Sequence, residues 1–150
     1  LNCEDDAMND KATCTAEHLN HVCIAVRDLD DTLGFYRDLF GLKPSEVREI
    51  ADQGVKAALV RVGGTELEFI QPTDPDGAIA RFIDSRGETL HHICFEVDDL
   101  QGKLDLLADK GTRLIDNTPR PGLAGMIAFL HPRSTRGVLV ELVDRDTVGR

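Results

Sequence analysis

Nowhere does this 150-residue chain carry an apolar run of the roughly eighteen residues needed to cross a bilayer as a helix. Its four cysteines, Cys3, Cys14, Cys23 and Cys94, form no CxxC pair and no compact zinc or disulfide spacing, and are read as reduced thiols. Positive charge is scarce. Lys+Arg number 17 against 27 Asp+Glu, a net charge of −10 that repels phosphate backbones and anionic headgroups. Neither nucleic acid nor membrane is therefore expected as a partner, and an anionic small molecule would have to enter a locally basic patch. Residues 1–19 lack the apolar stretch of a signal peptide and the Arg-rich, acid-poor character of a transit peptide. They read as a flexible tail, and the protein as cytoplasmic. What is present, 41% hydrophobic and 29% charged residues, describes an ordinary soluble fold of about one domain.

An internal repeat organises the chain. HVCIAVRDLDDTL at 21–33 recurs as HICFEVDDLQGKL at 92–104, with identities at His21/His92, Cys23/Cys94, Val26/Val97, Asp28/Asp99, Leu29/Leu100 and Leu33/Leu104. Each copy opens with period-two alternation, the mark of a half-buried strand, which puts Val22, Ile24 and Val26 on one face and His21 and Cys23 on the other. A helical pattern follows: Leu29, Leu33, Tyr36 and Phe40, then Leu100, Leu104 and Leu107. Asp28 and Asp99 are the expected caps, and Gly41 and Gly111 the expected stops. Strands are expected at 45–50, 55–62 and 65–71, and again at 112–116, 126–131 and 137–144. The prediction is an α+β fold of two tandem βαβββ modules, about 20–75 and 91–145, forming one strongly curved mixed sheet. A short amphipathic helix at 77–87 links them. Either half alone is too small to cover its own core, so 20–145 is taken as a single domain.

The last strands of the two copies, TELEFIQP and GVLVELVDR, superpose Glu68 on Glu141. Alternation leaves both glutamates on the histidine-bearing face, away from the helices. Two imidazoles and two carboxylates from repeated strands make a mixed nitrogen and oxygen site suited to a divalent transition metal. A single histidine at a strand start is commonly a hydrogen-bonded core residue. Its recurrence at equivalent positions turns the reading toward a ligand. Glu66 has the same facing as Glu68, so strand register decides between them, whereas Glu141 between Val140 and Leu142 is costly to bury without a partner. Cys23 and Cys94 read as small core fillers. Glu96, about 13 Å along the strand from His92 at 3.3 Å per residue, is too distant for the same metal and is taken as a surface charge. Arg133, Ser134 and Arg136 offer a basic, donor-rich segment for an anionic substrate, against the alternative of a solvated hairpin.

On these features the chain resembles the vicinal oxygen chelate (glyoxalase/bleomycin resistance/dioxygenase) superfamily over about residues 20–145. Within it, DQGVKAALV (52–60), RGETLHHICFEVDDL (86–100), PRPG (119–122) and FLHPRSTRGVLVELV (129–143) resemble the methylmalonyl-CoA epimerases. The resemblance implies His21, Glu68, His92 and Glu141 as ligands of a divalent metal ion (Co, Mn, Ni, Zn or Mg) and Glu141 as a catalytic base. It implies epimerisation at C2 of an acyl-CoA through a metal-stabilised enediolate, an anionic substrate for which the Arg133 and Ser134 segment is the expected contact, and a homodimer. Two departures stand out. Some members carry an acid, proposed as the second base, where this chain has Ala57, and some have Gln where it has Glu68. The four-ligand set equals that of glyoxalase I, an isomerase of glutathione hemithioacetals, so the ligands alone leave both activities open. A third reading is a non-catalytic module that sequesters small molecules, against which the full set of four ligands argues.

Overall fold

The computed structural model describes residues 13–149, so Cys3 and residues 1–12 of the expected tail lie outside the described residues. The described chain contains the βαβββ order twice and divides into two compact units, Asn20–Ile93 and a second running from Cys94 onward with the residues before Asn20. No helix among the described residues is long and apolar enough to cross a membrane.

The first unit contains most of β1 (His18–Ala25), then α1 (Leu29–Phe40), β2 (Arg48–Ile50), β3 (Val55–Val62), β4 (Thr65–Pro72) and α2 (Ala78–Arg86), after which β5 (Thr89–Val97) begins. The strands run β2-β3-β4-β1. β1 pairs with β4 in parallel while β3 pairs with β2 and β4 in antiparallel, giving a mixed sheet. α1 starts where expected, with the Asp28 carboxylate accepting the Asp31 N–H at 2.9 Å. It ends at Gly41, which lies in the left-handed region at φ 68° and donates its N–H to Arg37 O. On the helix side, Val26, Leu29, Leu33, Ala58, Val60 and Phe69 form the buried core, with Ile24, Tyr36 and Leu67 packed against it. Phe40 departs from the expected apolar stripe. It is 61% exposed and meets only the edge of the core, its ring 5.7 Å from that of Tyr36.

The opposite face of the same sheet is at least as dry. His21, Cys23 and Ala25 on β1 are all within 2% of full burial, as is Ala57 on β3. In register, Cys23 stands beside Glu68 and Leu59 opposite Glu68, so these residues share one face with Ala57 and Ile70. The expected strand at 45–50 is shorter than predicted. Only Pro44 bridges to Val60, and the Ser45 hydroxyl accepts the Leu59 N–H at 3.0 Å in place of a backbone carbonyl. The DQGV segment makes one turn of 3₁₀ helix, Ala51–Gln53, and leaves it through Gly54 at φ 62°. A Cβ there would also stand 3.0 Å from that of Asp74, so only glycine suits the position.

The second unit contains the end of β5, then α3 (Leu100–Asp109), β6 (Arg120–Pro121), β7 (Met126–Leu130) and β8 (Val140–Asp144), in the order β5-β8-β7-β6. Asp99 caps α3 by accepting the Gly102 N–H. The helix closes with Gly111 N–H on Ala108 O and Thr112 N–H on Leu107 O, around Gly111 at φ 83°. No strand forms at 112–116 beyond a bridge from Leu114 to Leu130. The Asp116 carboxylate takes the Phe129 N–H at 2.9 Å and so interrupts the ladder. The expected 137–144 strand starts only at Val140, because Arg136 at φ 57° and Gly137 at φ 90° turn the chain. β1 already begins at His18, inside the segment read as a tail, and Glu17 donates its N–H to Glu96 O and pairs with Arg145 at 2.7 Å.

Candidate metal centre

Within the first unit, three side chains from three separate stretches of sequence converge. His21 Nε2 lies 3.2 Å from His92 Nε2 and 3.5 Å from Glu68 Oε2. All three residues are buried: His21 is 2%, His92 6% and Glu68 8% exposed. In register Glu66 is the residue paired with His21, yet burial and side-chain reach select Glu68. Glu68 is the direct neighbour of Cys23, diagonal to His21 and inward, while Glu66 remains partly exposed.

A carboxylate this deeply buried needs a compensating charge, and the spacing of the donors suits a cation. Two nitrogens 3.2 Å apart match ligands about 2.1 Å from one ion at an angle of roughly 100°, and 3.5 Å between nitrogen and oxygen corresponds to roughly 110°. The donor chemistry fits as well, since two imidazoles with a carboxylate suit Mn, Co, Ni or Zn. The outer nitrogen of each ring is also engaged. His21 Nδ1 meets Asn20 Oδ1 at 2.7 Å, a contact that turns the ring so that its Nε2 is aimed at the centre. His92 Nδ1 meets His91 Nδ1 at 2.9 Å. A second group, Cys23, His91 and His92, has ligand atoms all within 4.8 Å of one another.

Neither Asn20 nor His91 stood out in sequence reasoning, although each directly precedes a candidate ligand. That adjacency to a strand-start histidine was the available signal. Ala57, where some relatives carry an acid, is 1% exposed and faces Arg48 and Ile70 across its neighbours.

In the second unit Glu141 sits on β8, 5% exposed, and its Oε1 accepts the Cys94 thiol at 3.5 Å. Cys94 is thus both the core filler expected and a partner of a candidate catalytic carboxylate. Glu96 contradicts the expectation of a surface charge. It is 6% exposed, because β5 turns His92, Cys94 and Glu96 to its drier side while Ile93 and Phe95 stay half-exposed. Arg133 and Ser134 lie in a 3₁₀ turn, Pro132–Ser134, whose start is capped by His131 Nδ1 accepting the Arg133 N–H. The Ser134 hydroxyl accepts the Arg113 N–H at 2.8 Å, and both side chains are exposed.

Residues 20–129 match the model of the glyoxalase/bleomycin resistance protein/dioxygenase superfamily. The chain is 37% identical to the mitochondrial methylmalonyl-CoA epimerase of Mus musculus, over 83% of this chain and 71% of that protein. It is 35% identical to an ethylmalonyl-CoA/methylmalonyl-CoA epimerase of Cereibacter sphaeroides, over 83% and 95%. The chain belongs to the methylmalonyl-CoA epimerases of this superfamily. Among solved structures, a Streptomyces coelicolor methylmalonyl-CoA epimerase bound to 2-nitronate-propionyl-CoA superposes with a TM-score of 0.82 at 31% identity, covering 91% of this chain and all of that one. The expected α+β vicinal oxygen chelate fold is therefore the fold of this epimerase family, an isomerase family, and both repeated histidines fall inside the matched segment.

Proposed function

We propose that this protein interconverts the C2 epimers of methylmalonyl-CoA with a bound divalent cation. The observation that carries the reading is the convergence of His21 Nε2, His92 Nε2 and the Glu68 carboxylate in a chain of this family. Glu141 is the fourth ligand by its sequence correspondence to Glu68. Held by these residues, a divalent cation would supply the Lewis acidity that makes the C2 proton easier to remove. The residues do the rest. His21 and His92 would each present Nε2 to the cation, and Glu68 would offset part of its charge, tempering its Lewis acidity. Glu141 acts as the acid/base that takes or returns the C2 proton. Arg133 and Ser134 contact the anionic CoA ester. The homodimer that the family resemblance implies, and the cytoplasmic setting expected from the sequence, belong to the same proposal.

Proton NMR of methylmalonyl-CoA in D2O tests it, with the protein reconstituted with Co2+ and a His92→Ala control. Metal-dependent loss of the C2 proton signal, absent in the control, is the expected result. Background exchange with each of Co, Mn, Ni, Zn and Mg overturns the reading. Turnover of a glutathione hemithioacetal in that event would favour glyoxalase I.

A further inference from the structure

We infer that Arg113, together with Arg133 and Arg136, forms an anion site for the phosphate-bearing nucleotide end of an acyl-CoA. This deepens the function proposed above and rests on it for the nature of the substrate.

The second unit brings the three arginines to one turn, the segment that links β7 to β8. Arg113 is tied to that segment from both sides of its backbone. Its N–H donates to the Ser134 hydroxyl at 2.8 Å, and its carbonyl accepts the His131 N–H at 2.9 Å. The turn is also closed on itself, by the Ser134 N–H on His131 O and the Gly137 N–H on Pro132 O. All three arginines are exposed, and residues 113–115 and 131–139 contain no Asp or Glu. Sequence reasoning singled out Arg133 and Arg136 but not Arg113, which lies 20 positions before Arg133 and joins them only through these backbone bonds.

Their lack of acidic partners sets them apart. In a chain with 27 acidic and 17 basic residues, carboxylates are plentiful, and Arg27, Arg37, Arg120 and Arg145 each pair with one. Arg61 and Arg81 donate to carbonyl oxygens, and Arg86 lies over the Phe82 ring. Among the described residues, the guanidiniums of Arg113, Arg133 and Arg136 have none of these partners, and of the other described arginines only Arg48 is in the same state. Asp116, the acid nearest to Arg113 along the chain, is already held by Arg120 at 3.0 Å and by the Phe129 N–H. Three like charges gathered on one turn repel one another, and a bound polyanion turns that repulsion into attraction.

Guanidinium forks match phosphate oxygens in pairs, which makes a phosphate ester the fitting anion. The net charge of −10 repels nucleic acid and anionic lipid surfaces, so the ligand is a small molecule. Position agrees with an acyl-CoA. Glu141 pairs in register with Phe129, and the turn begins at His131, two residues on, or about 7 Å along the strand at 3.3 Å per residue. A thioester whose C2 lies at Glu141 carries its phosphates away from that carboxylate, at the other end of the pantetheine arm, where the arginine side chains extend.

Isothermal titration on the full chain tests this by binding rather than turnover, with coenzyme A, pantetheine and inorganic pyrophosphate as probes. The double variant Arg113→Gln/Arg133→Gln should bind coenzyme A about 10-fold or more weakly while its weak binding of pantetheine is unchanged. Arg113→Lys/Arg133→Lys should recover part of the loss, and Arg61→Gln, which removes one charge elsewhere, should stay within about two-fold of the unsubstituted protein. Coenzyme A affinity unaltered in the Gln variant, or lost equally for pantetheine, overturns the site. Pyrophosphate binding as tightly as coenzyme A reduces it to a general anion patch and overturns the assignment to the nucleotide end. Absence of coenzyme A binding by the unsubstituted protein overturns the site and the CoA substrate together. Binding as expected without C2 proton exchange overturns the epimerase reading and leaves the site standing.

Discussion

Nε2 of His21 and Nε2 of His92 face each other at 3.2 Å in a nearly dry site, although the two residues begin separate copies of one repeat. Neighbours on the outer side of each ring orient both nitrogens, so the pair is built to share one electrophile. What enters between them decides both stability and chemistry.

A cation bound by this pair stabilises the folded chain by mass action. At a free concentration about 100 times the dissociation constant the gain is about 2.7 kcal/mol, which for a domain of this size raises the thermal midpoint by roughly 5–10 °C. Calorimetry with Co2+ or Zn2+, then with excess EDTA, should show the rise and its reversal. His21→Ala and His92→Ala should each abolish it. An unshifted midpoint in the unsubstituted protein would remove the ligand assignment.

Two glutamates on one face of β4 should behave differently. Glu68→Gln is expected to weaken cation binding by on the order of 10-fold or more, since a charged donor becomes a neutral one. Glu66→Gln should leave it within about two-fold, because that side chain, although paired in register with His21, is partly exposed while Glu68 is buried with an oxygen 3.5 Å from His21 Nε2. Isothermal titration of both variants measures this, and equal losses would mean that Glu68 is not singled out as the ligand.

Packing and capping also give distinct magnitudes. Phe69 is fully buried with its ring 4.8 Å from that of Tyr36, so Phe69→Ala should cost about 3–5 kcal/mol in urea unfolding. Asp28→Ala removes one exposed cap bond and should cost about 1 kcal/mol. A reversed order of the two costs would contradict the core described above.

Burial pushes the Cys14 thiol above its ordinary range, with Asp98 adding to the rise and Lys103 and Lys110 pulling the other way. Its alkylation by iodoacetamide should therefore reach half-rate at a higher pH in the folded chain than in urea, and Lys103→Met should move it higher still. A raised folded value means that the associated stability is full below the unfolded value and is lost as pH rises through the folded one. Peptide mass spectrometry across a pH series gives both profiles, and coincident profiles would refute the burial effect.

Much of this molecule is legible in one dimension because its signals are local. The repeat placed His21 and His92 at equivalent strand starts, alternation separated Glu68 from Phe69, and Asp28, Asp99, Gly41 and Gly111 marked the ends of two helices, all as observed. Two of the failures share a cause in side chains that bond to backbone across the sequence. Asp116 captures the Phe129 N–H and ends one expected strand, and Ser45 does the same to Leu59 at another.

By itself, then, the sequence determined the βαβββ repeat, the polarity of the strand faces and the identity of the converging histidines, since each follows from residue type at fixed local spacing. The tertiary structure alone decided that Glu68 rather than Glu66 reaches His21, that Glu96 is buried, and that Asn20 and His91 orient the two imidazoles. Those outcomes depend on strand register and ring geometry, which are set by how neighbouring strands pair and not by any one segment.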